Sequence, residues 1–145
     1  MNQRSEFSEE SSSVQSHLGI MQDVIQRMAE NSRSCKVWNI TLVSAILVFV
    51  ARADKPDYVL IALIPTILFL ILDTYYLALE RAFRESYNDF VRKLHEGSLA
   101  ASDLFTVAPI GSVPRYFMSS LLSFSIWPFY PTLIIMTLII WLLLI

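Results

Sequence analysis

Two runs of fifteen residues without a charged side chain stand almost end to end in this sequence, and they limit what it can fold into more than any other feature. VWNITLVSAILVFVA lies between Lys36 and Arg52, and YVLIALIPTILFLIL lies between Asp57 and Asp73; beyond Arg115 no charged residue occurs up to Ile145. With 54% hydrophobic residues and three glycines in 145 residues, the composition is that of an integral membrane protein, not an ordinary soluble domain. Fifteen helical residues rise only about 22 Å against a hydrocarbon core of about 30 Å, so flanking residues must join each span, with Lys36 and Arg52 snorkelling.

The loop ARADKPDY is so short that the two runs must form an antiparallel membrane hairpin. Lys and Arg set its orientation. Arg4, Arg27, Arg33 and Lys36 precede the hairpin and Arg81, Arg84, Arg92, Lys93 and Arg115 follow it, against Arg52 and Lys55 in the loop, which predicts a cytoplasmic N-terminus. Pro65, in mid-run, is expected to kink the second helix.

Before the hairpin, residues 1–12 read as a disordered tail with none of the basic character of a secretion signal. Residues 13–34 then read as an amphipathic helix with Leu18, Met21, Ile25 and Met28 on one stripe, for packing on another helix of the chain or on a membrane surface. Asn31 to Ser34 are either a break or a continuation into the span.

The first hairpin is assigned to 35–79, and its second helix should continue through 80–96 to Gly97, because neither proline nor glycine intervenes. Along it Phe69, Tyr76, Phe83 and Phe90 fall seven apart, with Asp73, Glu80, Tyr87 and Leu94 between them, the pattern of a helix-packing seam. Residues 97–114 are a connector rich in small residues and prolines. Residues 115–145 exceed one span, and WPFYP divides them into Tyr116–Trp127 and Thr132–Ile145, read as a second apolar hairpin. The expected fold is therefore an all-α membrane protein of four membrane segments. The runner-up has an interfacial or re-entrant helix over Tyr116–Trp127 and one crossing after it.

Candidate functional residues follow from the cost of polar groups at membrane depth. Asp73 and Glu80 share the aromatic seam, and each either pairs with a group such as Arg27, Arg33, Lys36 or Asn31 or lines an ion path. Ser119, Ser120 and Ser123 mediate close packing or line a pore. Phe69, Tyr76, Phe83, Tyr87 and Phe90 are the candidate seam for self-assembly. Arg81, Arg84, Arg92 and Lys93, with Asn88 nearby, are candidates for an anionic signal, although Glu80, Glu85, Asp89 and Glu96 dilute the patch.

Familiar catalytic signatures are missing: no HExxH, CxxC, GxSxG or phosphate-binding glycine loop occurs. His17 and His95 lie far apart in sequence, and the lone Cys35 has no identifiable base and no disulfide partner. No enzyme activity, cofactor or metal is expected.

The stretches IQRMAENSRSCKVWNITLV, Ile25 to Val43, and IPTILFLILDTYYLALERAFRESY, Ile64 to Tyr87, resemble a group of small bacterial membrane proteins encoded beside phage-defence genes. More loosely, the chain is similar to SLATT-type effectors, a membrane hairpin followed by a long cytoplasmic helix. The second apolar hairpin departs from a plain two-span effector, and no ligand site carries over residue by residue. The resemblance implies a multi-pass protein of the bacterial inner membrane that assembles with itself and opens a pore in antiviral defence. The implied trigger is a nucleotide or oligonucleotide signal from a partner enzyme. The alternative reading is a non-conducting anchor or accessory subunit of a soluble partner or transporter.

Overall fold

The computed structural model describes residues 7–53 and 55–144, and among these the regular structure is entirely helical. The expected tail over 1–12 thus lies partly outside the described residues. Helix α1 runs unbroken from Ser12 to Ala53, so Asn31 to Ser34 continue the helix. No proline or glycine follows Gly19 within it, and its 42 residues reach about 63 Å.

A 3-10 helix over Pro56–Ala62 leads into helix α2, Leu63–Glu96. Pro65 therefore falls in the first turn of α2, directly after the 3-10 helix whose Leu60 and Ile61 carbonyls accept the Leu63 N–H, so the proline stands where the winding changes and not in the middle of a uniform α-helix. At the other end the sequence signal holds. Gly97 adopts φ 66°, and Ser98 N–H closes on the Lys93 carbonyl at 3.0 Å, a left-handed cap that favours glycine.

Helices α1 and α2 pack antiparallel along most of their length, which gives the stripe at 13–34 its partner within the chain. Lys36 meets Asp73, Gln22 meets Tyr87, and Val14 and Met21 share a core with Phe90, Leu94 and Leu99. The chain then doubles back along α2. Ser86 Oγ donates to the Ala108 carbonyl (2.6 Å), and Ile110 N–H reaches the Ala82 carbonyl (3.4 Å).

So close an approach requires small side chains, and from Thr74 the buried face of α2 is Thr74, Ala78, Ala82, Ser86, Phe90 and Leu94, every fourth residue. The aromatic seam of seven-residue period coincides with this face only at Phe90 and Leu94. Phe90 alone of its five aromatic candidates is buried, and Phe69, Tyr76, Phe83 and Tyr87 are half-buried.

The segment expected to span as Tyr116–Trp127 is instead helix α3, Val113–Leu121, followed by turns. Its nine residues rise about 13 Å, and it packs beside α2 near Arg81, whose Nη1 donates to Ser119 Oγ (3.0 Å). Helix α4, Phe129–Leu144, then runs antiparallel to α2, from Tyr130 beside Asp73 to Trp141, whose Nε1 reaches Asp57 Oδ1 (3.4 Å). Among the described residues, only α1 and the combined helical stretch Pro56–Glu96 are long and apolar enough to cross a membrane by themselves; α4 is a shorter apolar helix.

Candidate functional site

The carboxylate of Asp73 is wholly buried where α1, α2 and α4 meet. Ser32 Oγ donates to Oδ1, while Oδ2 faces Lys36 Nζ at 2.5 Å and Tyr130 OH at 3.0 Å. Ser32 and Lys36 lie four apart on α1 and so share one helical face. Tyr130 stands in the first turn of α4, and its hydroxyl also lies 3.1 Å from the Phe69 carbonyl, so one proton serves two acceptors. Burying a charge is costly unless it is paired and hydrogen-bonded, and three donors here do both. The arrangement ties three helices together at one depth.

One turn beyond Lys36 lies a polar residue that is not satisfied. Asn39 is fully buried, and neither its amide nitrogen nor its oxygen has a partner. The nearby threonines differ, since Thr66, Thr74 and Thr137 each donate to the carbonyl four residues earlier in their helices or the preceding turn. Ser120 and Ser123 also have buried hydroxyls without partners, whereas Ser119 is engaged by Arg81.

The other sequence candidates separate into pairs. Glu80 binds Arg84 (2.8 Å), Arg92 binds Asp89, and Lys93 lies 3.1 Å from Asp103 and 3.5 Å from Asp89. Arg81 faces α3. Arg84 shares a surface groove with Gln22, Gln26, Tyr87 and Asn88, but the four cationic candidates do not converge on one site. Among the described residues no three His, Cys, Asp or Glu side chains group as metal ligands.

A second constellation closes the far end of the pair. His17 is buried against Phe90, ring centroids 4.3 Å apart, and its Nδ1 accepts the Phe105 N–H at 3.0 Å. Phe105 holds a positive φ of 60°, uncommon for a residue with a Cβ. Burial pushes the His17 pKa down, and the charge of Asp103 opposes this only in part. Asp103 is itself held below its usual range, first by the Ala100 N–H and then by Lys93, whose own pKa Asp103 raises. His17, Asp89, Lys93 and Asp103 line one cavity of about 180 Å³.

Sequence reasoning had singled out Asp73 and included Lys36 among its partners. It missed Ser32 and Tyr130, which are 41 and 57 residues away, and gave Asn39 no role in the site. The four-residue relation of Ser32 to Lys36 was the available signal for the first; none pointed to Tyr130. No family model, curated protein or solved structure matches the chain.

Proposed function

We propose that α1, α2 and the apolar C-terminal region embed the chain in a bacterial inner membrane, with the Ser12 and Gly97 ends cytoplasmic, and that several copies assemble as an effector of antiviral defence. The assembly forms or gates a pore when a cytoplasmic signal, a nucleotide in the setting its resemblance implies, acts on the polar half, the part of the α1–α2 pair between Asp73 and Gly97. The observation that supports this reading is an inversion of ordinary packing. Between the Asp73 and Asp57 levels the large apolar side chains Trp38, Val48, Phe49, Ile64, Leu68 and Ile71 face outward, while the polar Asn39, Thr66 and Asp73 lie inside with the smaller Val43, Val50, Val59 and Ala62. A single copy has too few helices to enclose a pore, so conduction requires self-association.

The test is the mass of the purified protein in detergent together with its current in a planar bilayer. A ring-sized oligomer that conducts supports the effector. A stable oligomer or monomer that carries no current supports the second reading, a membrane anchor or accessory subunit. That reading is favoured by Asp73, whose donors all come from its own chain. Asp73→Asn sharpens the choice: a shifted reversal potential places this carboxylate on the ion path, and an unchanged one removes it.

A further inference from the structure

Between Ile110 and Tyr130 the chain leaves one stretch of α2 and returns to it. Ile110 is tied to Ala82, Ser119 to Arg81, and Tyr130 to Phe69 and Asp73. The one regular helix of this excursion, α3, rises only about 13 Å against the roughly 30 Å of a hydrocarbon core and gives way to turns, so it is too short to cross.

It also presents large apolar side chains with nothing over them: Met118 is 62% exposed, Leu122 74%, Phe124 91% and Trp127 63%. They continue the apolar band of α2 and α4 at its Asp73 end. Two arginines border the same segment. Arg81 and the exposed Arg115 have no carboxylate partner among the described residues, a state they share with Arg27 and Arg52, but they alone lie beside this apolar segment. Exposed aromatic side chains in a segment whose cations have no carboxylate partner suit the headgroup boundary of an anionic phospholipid leaflet.

We infer that residues 113–128 form a lipid-docking wedge in the leaflet bordering the polar half, with Met118, Leu122, Phe124 and Trp127 at the acyl boundary and Arg81 and Arg115 at lipid phosphates. Helix α4 is then a third crossing, and Leu144 lies on the membrane face opposite Ser12. The inference rests on the membrane reading above and is independent of whether the assembly conducts.

The experiment uses a chain whose only tryptophan is Trp127 (Trp38→Phe with Trp141→Phe), reconstituted with phosphatidylglycerol and brominated phosphatidylcholines. Bromines nearest the headgroup should quench severalfold more than those at the chain ends. Stronger quenching by the deep bromines, or none, overturns the wedge. A companion chain keeping only Trp38 separates the causes, because Trp38 lies in the apolar part of α1. If Trp38 is unquenched the membrane reading fails; if Trp38 is quenched and Trp127 is not, only the wedge fails.

Removing phosphatidylglycerol should weaken the shallow quenching, and Arg81→Gln with Arg115→Gln should abolish that lipid dependence. Equal quenching of the Trp127 chain with and without the anionic lipid overturns the phosphate assignment. Cysteines at Ser112 and Leu144, in a Cys35→Ser background, should react with an impermeant thiol reagent from opposite sides in cells. Reaction from the same side overturns the third crossing.

Discussion

The two ends of the α1–α2 pair are built from the same helices and packed by opposite rules. Toward Gly97, Val14, Met21, Phe90, Leu94 and Leu99 are inside with the hydrogen-bonded His17 and Ser86, and Gln22, Gln26, Arg84 and Arg92 face outward. Toward Asp57 the interior holds Asn39, Thr66, Asp73 and Thr137 beside valines and Ala62, while Phe49, Ile64, Ile67 and Leu143 face outward. In water, apolar burial drives packing and polar groups stay outside. In hydrocarbon an outward Leu is already at home, so helices are held by close contact and by interior hydrogen bonds. On the membrane placement proposed above, the boundary between the two regimes falls at Lys36 and Asp73, where the ion pair sits.

The largest effect should come from breaking that boundary. Asp73→Leu leaves Lys36 without its counter-charge in a site with little water and should cost about 3–5 kcal/mol, read as unfolding in detergent or lost yield. Adding Lys36→Met should restore most of it, since two apolar side chains of similar size can replace a buried pair. A single mutant costing under about 1 kcal/mol would mean that interior polarity is not what joins the helices of the apolar half.

In the polar half the equivalent test is apolar. Phe90→Ala empties a site enclosed by Val14, Met21 and the His17 ring and should cost about 3 kcal/mol. The loss should appear as faster amide exchange in residues 97–112 while the Asp57 end keeps its protection. Equal loosening at both ends would show that the pair unfolds as one unit and would erase the distinction between the halves.

How much of this was readable from sequence follows the same division. The uninterrupted helix to Gly97, the apolar runs and the oddity of Asp73 are local signals, carried by charge spacing and by the absence of proline and glycine. The packing face of α2 was not legible, because its residues are Ala78, Ala82 and Ser86, which add little to any apolar count yet permit the close approach of Ala108 and Ile110. Likewise α3 looked like a span because it is uncharged after Arg115. Its end at Leu121 is marked by no proline or glycine, since the first after Arg115 is Pro128, and the contacts of Ser119 with Arg81 and of Tyr130 with Asp73 are tertiary ones that no local pattern encodes. The donors of Asp73 illustrate both cases: Lys36 was identifiable as a nearby cation, while Tyr130 was hidden in the aromatic-rich start of α4.

A smaller effect, confined to the polar half, should follow pH. His17 accepts the Phe105 N–H and is buried, so its folded pKa lies below the unfolded value; Asp103, Asp89 and Lys93 are the charged groups around it. The unfolded chain binds the proton more readily, so this contribution is full above about pH 6.5 and is lost as pH falls toward the folded pKa. Protonation also turns Nδ1 into a donor facing another donor. Exchange of the Phe105 amide should accelerate severalfold on acidification while that of the Asp57 end does not. His17→Gln should flatten the response; an unchanged response in that variant would assign it to another group.

The smallest expected change in stability separates two reasons for a polar interior in the apolar half. If Asn39 serves only to fill space, its two unpartnered amide atoms cost about 1–3 kcal/mol of desolvation, and Asn39→Val, of similar volume, should raise stability by about 1 kcal/mol. The gain is less than the full desolvation term because the shape of the valine branch does not match that of the amide. If instead the amide borders a wet path in the open assembly, the variant should show the same or greater stability but carry less current at matched protein level. Stability and current therefore have to be measured on the same preparation. A stability loss would show that Asn39 has a partner in the native assembly, and the interior of the apolar half would then be as fully satisfied as that of the polar half, with polarity there acting as the joint between helices and not as a route through them.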